Sequence, residues 1–184
     1  MRRSCVDELG VADNTRVVFF SDNGGSGIAD NTPLRDGKSQ MFEGGLRVPF
    51  LVRWPDVVPA GSVCREFLTS LEVFPTILRV AGAERPRDVA LDGFETIPIL
   101  TGQCESPREE MFWERRGDRA ARVGHWKWVQ SQRGTGLFDL SHDVGERNDL
   151  SGQRPDMLKH LKARFAAWKE SMEQVEPRGP FRDF

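Results

Sequence analysis

Residues 16–27 read RVVFFSDNGGSG, and this stretch decides how the first half of the chain is interpreted. Val17 to Phe20 form a continuous apolar run, which is typical of a short strand covered on both faces in the parallel or mixed sheet of an α/β domain. Ser21 comes next, and then Asp22, Asn23 and several glycines. Because ligands of such sheets collect beyond the carboxyl ends of the strands, this carboxylate and amide could hold a hard cation such as Ca²⁺ or Mg²⁺. The same residue types also suit an ordinary turn.

A second group of chemically useful residues lies in the long loop after this strand. Lys38 comes fifteen residues after Asn23, inside PLRDGKSQMFEGGLRVPFLVRWP. The glycines of this block allow a backbone to approach a ligand closely, and Lys38 and Arg47 offer positive charge to an anionic group. A lone lysine in a loop is more often a solvated surface residue, so the chemistry alone leaves an anion site open.

The remaining elements follow from periodicity and punctuation. The first residues read as the tail of a helix that stops at Gly10, and LRVPFLVRWP as a second strand. TSLEVFPTILRVAG predicts a helix, with Pro75 near its first turn. ARVGHWKWVQ, RGTG and LFDL predict an antiparallel hairpin with Trp126 and Trp128 on one face. The last helix carries an apolar stripe with steps of three and four residues: Leu158, Leu161, Phe165, Trp168, Met172 and Val175.

Composition excludes several classes of protein. The chain has 184 residues, and its 26 Lys and Arg against 28 Asp and Glu lack the basic excess of a general nucleic-acid binder. No apolar run is long enough to span a membrane, and MRRSCVDELG lacks the apolar stretch of a signal peptide. The three cysteines are far apart and show no metal-ligand spacing. The compartment therefore stays open.

In order along the chain, SDNGG, PLRDGKSQMFEGGLRVPFLVRWP, FLTSLEVFPTILRVAG, LDG, RVGHWKWV and LFDLSHDVGERNDL resemble the C-terminal portion of the type I sulfatases, the arylsulfatase-like branch of the alkaline phosphatase superfamily. The resemblance implies an α/β fold that is α+β within this piece. The last strands of a mixed alkaline-phosphatase-like sheet would precede a small C-terminal antiparallel sheet packed by a helix. Residues 1–104 would belong to the catalytic domain, and residues 105–184 would form the C-terminal subdomain.

The resemblance also implies chemistry, namely hydrolysis of sulfate esters at a calcium site. Asp22 and Asn23 match the motif residues that complete the Ca²⁺ site, and Lys38 matches the lysine that contacts the sulfate group. The metal would polarise the sulfate oxygens, while Lys38 would hold the same group as a point charge. Arg47 matches no family contact and is expected to have a structural role.

The chain also departs from the family pattern. The family's formylglycine nucleophile is made from the cysteine of C-x-P-S-R, a motif that this sequence lacks, and CESPR at Cys104 is a coincidental surface loop. The family's active-site histidines precede this region, so His125, His142 and His160 are expected at the surface. Calcium takes about six to eight oxygen ligands, of which two residues supply only part. We therefore expect this chain alone neither to hydrolyse a sulfate ester nor to bind Ca²⁺ tightly.

Alternative functions stay open at this point. One is a phosphodiesterase or phosphonate hydrolase of the same superfamily. Another is a non-catalytic module that binds sulfated glycans through Lys38, Arg47, Trp126 and Trp128, although two alternating tryptophans more often pack in a core. The expected partners are a small sulfate ester or a sulfated glycan, and the N-terminal part of the same domain. Family members are often periplasmic, secreted or lysosomal.

Overall fold

The computed structural model describes residues 5–175, which separate into two units of internal packing. Of these residues, unit one comprises 5–22 and Pro49–Glu109, and unit two comprises Asn23–Val48 and 110–175. Within the described residues, no helix has the length and apolar character needed to cross a membrane.

Unit one contains one small sheet and several short helices. Strand β1 (Val17–Phe20) pairs antiparallel with β2 (Phe50–Arg53), so that Val17 lies opposite Arg53 and Phe20 opposite Phe50. The helices are α1 (Cys5–Glu8), α3 (Val73–Val80) and α4 (Ile97–Leu100), with 3-10 turns at Ala12–Asn14 and Ser70–Glu72. The predicted helix is thus present, and Pro75 lies in the first turn of α3, where a missing backbone N–H is tolerated.

The faces of this two-stranded sheet differ from the prediction. The run Val17–Phe20 was expected to be covered on both sides, yet Phe19 is 60% and its cross-strand partner Leu51 is 63% exposed. The physical reason is that, within residues 5–175, β1 and β2 pair only with each other. The strands therefore present apolar side chains to solvent in the chain by itself.

Unit two is built on a four-stranded antiparallel meander. Its strands are β3 (Glu110–Arg115), β4 (Asp118–Val123), β5 (Trp126–Ser131) and β6 (Gly134–Asp139), paired in chain order. The predicted hairpin is its second half, whereas β3 and its pairing with β4 were not predicted. Helix α5 (Pro155–Glu173) begins with proline, which suits the first turn of a helix.

The two faces of this meander are covered by different parts of unit two. On one face, α5 contributes Leu161 and Phe165 to a core with Phe112 and Trp128, which confirms that the last helix packs on a sheet. On the other face, Met41 and Phe42 pack with three residues of the sheet: Ala120, Val129 and Phe138. Met41 and Phe42 precede the short helix α2 (Glu43–Leu46) in residues 23–48, called here the 23–48 segment. The glycine-rich block is therefore a packed layer of unit two.

The predicted domain division at residues 104 and 105 stays a prediction about the longer domain. The packing units change at residues 109 and 110, and they group the 23–48 segment with the C-terminal residues.

Candidate functional site

Asp22 and Asn23 lie just beyond β1, separated from its last residue, Phe20, only by Ser21, as the sequence predicts. Asp22 is exposed and Asn23 is partly buried. Their oxygens are the hard donors that Ca²⁺ prefers, so they suit part of a calcium shell. Among residues 5–175, no three His, Cys, Asp or Glu side chains are grouped as metal ligands would be.

The 23–48 segment folds back on itself through backbone hydrogen bonds. The Gly24 N–H donates to Gly45 O at 3.0 Å, and the Gly44 N–H donates to Arg35 O at 2.8 Å. The Lys38 N–H donates to Gly25 O at 3.0 Å. The structure thereby joins the backbone of Lys38 to the residue that lies two positions after Asn23, and it leaves the Lys38 side chain exposed.

The glycines of this segment are required by close backbone contacts. A Cβ atom on Gly24 would lie 1.7 Å from Gly44 O, and one on Gly44 would lie 2.2 Å from Asp36 O. A Cβ atom on Gly45 would lie 2.2 Å from Gln40 O. No side chain fits at these distances, which explains why the block that carries Lys38 is so rich in glycine.

Asn31 stabilises the same turns from within. Its Oδ1 accepts the Gly25 N–H at 3.2 Å, and its Nδ2 donates to Gly25 O at 3.1 Å and to Asp36 O at 3.0 Å. One amide side chain therefore connects both ends of the loop that precedes Lys38. This role of Asn31 was not predictable from the sequence, because asparagine in a loop is ordinarily interpreted as a turn residue.

Three charged residues, Glu43, Lys127 and Glu146, form a buried triad where the 23–48 segment packs on the sheet of unit two. Lys127 and Glu146 are fully buried, and Glu43 is 4% exposed. Lys127 Nζ donates to Glu43 Oε1 at 2.8 Å, and it lies 2.9 Å from Glu146 Oε1. Glu146 Oε2 accepts the backbone N–H of Glu43 at 2.5 Å. Lys127 comes from β5 and Glu146 from the loop after β6, so the triad ties α2 to two places in the sheet unit.

The two carboxylates of the triad differ in pKa. Burial raises the pKa of Glu146, and the repulsion from Glu43 adds to this, despite the opposing attraction of Lys127. Burial acts in the same direction on Glu43, but Lys127, Arg47 and Arg122 together outweigh it and lower its pKa. One ammonium thus serves two carboxylates, and the one with additional positive neighbours ionises first.

These directions predict a pH dependence of stability for unit two. Because the pKa of Glu146 is raised on folding, its contribution is present below the ordinary glutamate pKa and is lost as the pH rises through the raised value. The contribution of Glu43 has the opposite sign, since it is lost as the pH falls through its lowered pKa. The wild-type chain should lose stability as the pH rises from the ordinary glutamate pKa through the raised pKa of Glu146. We expect Glu146→Gln to remove this loss, as measured by urea unfolding across the pH range.

Glu170→Gln, on the exposed surface of α5, is the control for this measurement. A wild-type pH profile in Glu146→Gln would contradict the expectation.

The structure also shows the surroundings of the three histidines, Trp128 and Arg47. His125, His142 and His160 are exposed, as expected. Trp128 is 3% exposed and its ring lies 5.6 Å from that of Phe165, so core packing is confirmed and its ring face cannot stack on a glycan. Arg47 Nε lies 3.8 Å from Glu43 Oε2, an ion pair that suits the structural role expected for it.

Comparisons with known proteins support the family resemblance that the sequence motifs indicate. The sequence model of a family described as Sulfatase matches residues 4–83. The chain is 32% identical over 197 residues to arylsulfatase A of Homo sapiens, an alignment that covers 86% of this chain and 38% of that protein. It is 37% identical over 215 residues to N-acetylgalactosamine-6-sulfatase of Homo sapiens, with 95% of this chain and 41% of that protein covered.

A solved structure extends the likeness to the fold. The crystal structure of Ps i-CgsB in complex with k-i-k-neocarrahexaose matches with a TM-score of 0.80 and 32% identity, over 89% of this chain and 38% of that one. The predicted fold class, α+β within this piece with a small antiparallel sheet packed by a helix, is confirmed. The chain spans about two fifths of the length of these relatives, between 38% and 41%.

Proposed function

The chain belongs to the type I sulfatase family and spans part of the length of its relatives. From this premise we propose that it is the C-terminal part of an enzyme that hydrolyses sulfate esters. The observation that carries the proposal is the position of Lys38. Its side chain is exposed on a backbone that close glycine contacts and long-range hydrogen bonds hold in one conformation. A cation on such a backbone is suited to binding an anionic group at little cost in ordering.

Each predicted residue has a role in this proposal. Lys38 holds the sulfate group through its ammonium. Asp22 and Asn23 supply side-chain oxygens to a calcium ion, which when bound would offset negative charge on the sulfate. Calcium takes about six to eight oxygen ligands, so other residues of the enzyme must provide the rest.

The chain's apolar strands support the same proposal. Val18 on β1 is 42% exposed, and Phe50 on β2 is 41% exposed on the same side of the sheet as Val18. Exposed apolar side chains on both faces of a sheet are typical of a layer that further protein covers. We propose that other residues of the sulfatase catalytic domain cover β1 and β2. The formylglycine nucleophile belongs to that part as well, because the 184 residues contain no C-x-P-S-R.

The substrate class in this proposal is a sulfated glycan. Two of the relatives above point to it, one by its name, N-acetylgalactosamine-6-sulfatase, and the other by the neocarrahexaose in its complex. An aryl sulfate is the alternative that the name arylsulfatase A supports.

A titration of the isotope-labelled chain with sodium sulfate tests the role of Lys38. We expect the amide signals of Gly37, Lys38 and Ser39 to shift with increasing sulfate, and Lys38→Ala to abolish the shift because the ammonium is gone. Lys159→Ala, an exposed lysine of α5, is the matched control and keeps the response. A response unchanged in Lys38→Ala would contradict the assignment.

The same samples are assayed with p-nitrophenyl sulfate. No turnover is expected, since the nucleophile motif is absent from these residues. Turnover that Lys38→Ala abolishes would show instead that the chain is active by itself.

A further inference from the structure

The buried triad joins three blocks that are far apart in the sequence. Glu43 stands in MFEGG, Lys127 in HWKWV and Glu146 in DVGER, so 84 and 103 positions separate Glu43 from its two partners. None of the three is exposed enough to bind a ligand in this chain. Their chemistry is therefore directed inward, to the segment that carries Lys38.

We propose that Lys127 is a positioning residue for Lys38: together with Glu146 it fixes Glu43, and through Glu43 it holds the 23–48 segment in the conformation that presents Lys38. The proposal rests on the proposed function for its sulfate ligand. It adds to that function the means by which the ligand's site is held in place.

The route from Lys127 to Lys38 is short. Glu43 is followed at once by Gly44 and Gly45, whose backbones bond to Arg35 and Gly24 respectively. Gly25, the next residue after Gly24, accepts the Lys38 N–H at 3.0 Å. Displacement of Glu43 therefore moves the backbone against which Lys38 is fixed.

A second contact holds Glu146 to the same segment. Arg35 donates to the Glu146 backbone oxygen at 3.1 Å, and its guanidinium carbon lies 3.7 Å from the centre of the Phe42 ring. Glu146 is thus bonded to the 23–48 segment through its side chain, at Glu43 N, and through its backbone, at Arg35.

The apolar contacts of the segment cannot replace this function. Met41 and Phe42 pack against Ala120, Val129 and Phe138, and such contacts stabilise burial without selecting one register. The ion pairs and the hydrogen bond of the triad are directional, and buried charges must be paired to remain buried. Lys127 therefore selects one placement of α2 among those that the apolar contacts permit.

Amide hydrogen exchange of the isotope-labelled chain tests the proposal. The probes are the amides of Gly24, Lys38 and Gly44, whose acceptors all lie inside the 23–48 segment. In Lys127→Met we expect these three amides to exchange about tenfold faster or more, because local opening of the segment becomes easier. Amides shared between β4 and β5 should change much less. Lys159→Met, an exposed lysine of α5, is the matched control.

Lys127→Met leaves two carboxylates without their cation, so a second variant guards against unfolding. The triple change Lys127→Met, Glu43→Gln and Glu146→Gln carries no unpaired buried charge. The side-chain amide oxygen at position 146 can still accept the backbone N–H of residue 43. We expect this variant to keep the protection of the sheet, to exchange faster at the three probes and to lose the sulfate response of Lys38.

The outcomes separate the two proposals. Wild-type exchange at the probes in the triple variant would overturn the positioning role, and so would an equal rise throughout the sheet, which would make Lys127 a general core residue. A wild-type chain that ignores sulfate would overturn the proposed function, while the exchange rates would still decide the role of Lys127.

Discussion

Replacing Arg108 by methionine is expected to lower the free energy of unfolding of unit one by about 3–5 kcal/mol. The side chain of Arg108 is 9% exposed and that of its partner Glu72 is 2% exposed. Arg108 Nε donates to Glu72 Oε1 at 3.0 Å, and its Nη2 donates to the Asp92 backbone oxygen at 2.9 Å. Among residues 5–175, the substitution leaves the buried Glu72 carboxylate with the hydrogen bonds from Thr69 alone, which close the start of the 3-10 turn before α3.

Urea-dependent proteolysis, with the peptides of residues 49–109 followed separately, measures this loss. The matched control is Arg87→Met, since Arg87 and Glu84 form an ion pair with side chains 87% and 85% exposed. That pair is expected to contribute no more than about 1 kcal/mol. Equal effects of the two substitutions would refute the view that burial makes the pair of Arg108 and Glu72 important.

Gly24→Ala is expected to destabilise unit two by about 3 kcal/mol. The added methyl group would meet Gly44 O at 1.7 Å, and also Gly44 C and Gly45 Cα at 2.7 and 2.8 Å. These are backbone atoms of the same folded segment. The clash is therefore relieved only if the backbone at Gly24 moves away from the backbone at Gly44 and Gly45, and these two stretches hold Lys38. The sulfate response of Lys38 should be lost together with the stability.

Gly152→Ala serves as the control, because a Cβ atom there meets nothing within 4 Å. Urea unfolding of both variants, monitored through tryptophan fluorescence, measures the difference in stability. A Gly24→Ala chain as stable as Gly152→Ala would mean that the segment relaxes without loss, and the close glycine packing would then have no energetic role.

Periodic elements were predictable from the sequence. The stripe of Leu158, Leu161 and Phe165 gave α5 and its buried face, because spacing along a helix determines which residues share a side. The alternation of Trp126 and Trp128 likewise gave their common face. Both predictions use only neighbours in the chain.

The triad and the glycine packing were not predictable in the same way. Lysine is almost never fully buried, and the interpretation of Lys127 as a surface residue is the ordinary one. A signal was nevertheless present in β5: Val129 lies two residues on, on the same face as Lys127, and an apolar residue there indicates a covered face. The partner residues are distant in the sequence, and no local pattern reveals them.

The meander of unit two has a layer on each side, and neighbouring residues of β5 therefore serve different layers. Trp128 faces α5, whereas Lys127 faces the 23–48 segment. Because a strand alternates with a period of two, gaining or losing one residue inside β5 would send the lysine beneath the helix and a tryptophan beneath the glycine loop. We expect length changes in related genes to collect in the turns after Val123 and Ser131, and the spacing within β5 to stay fixed.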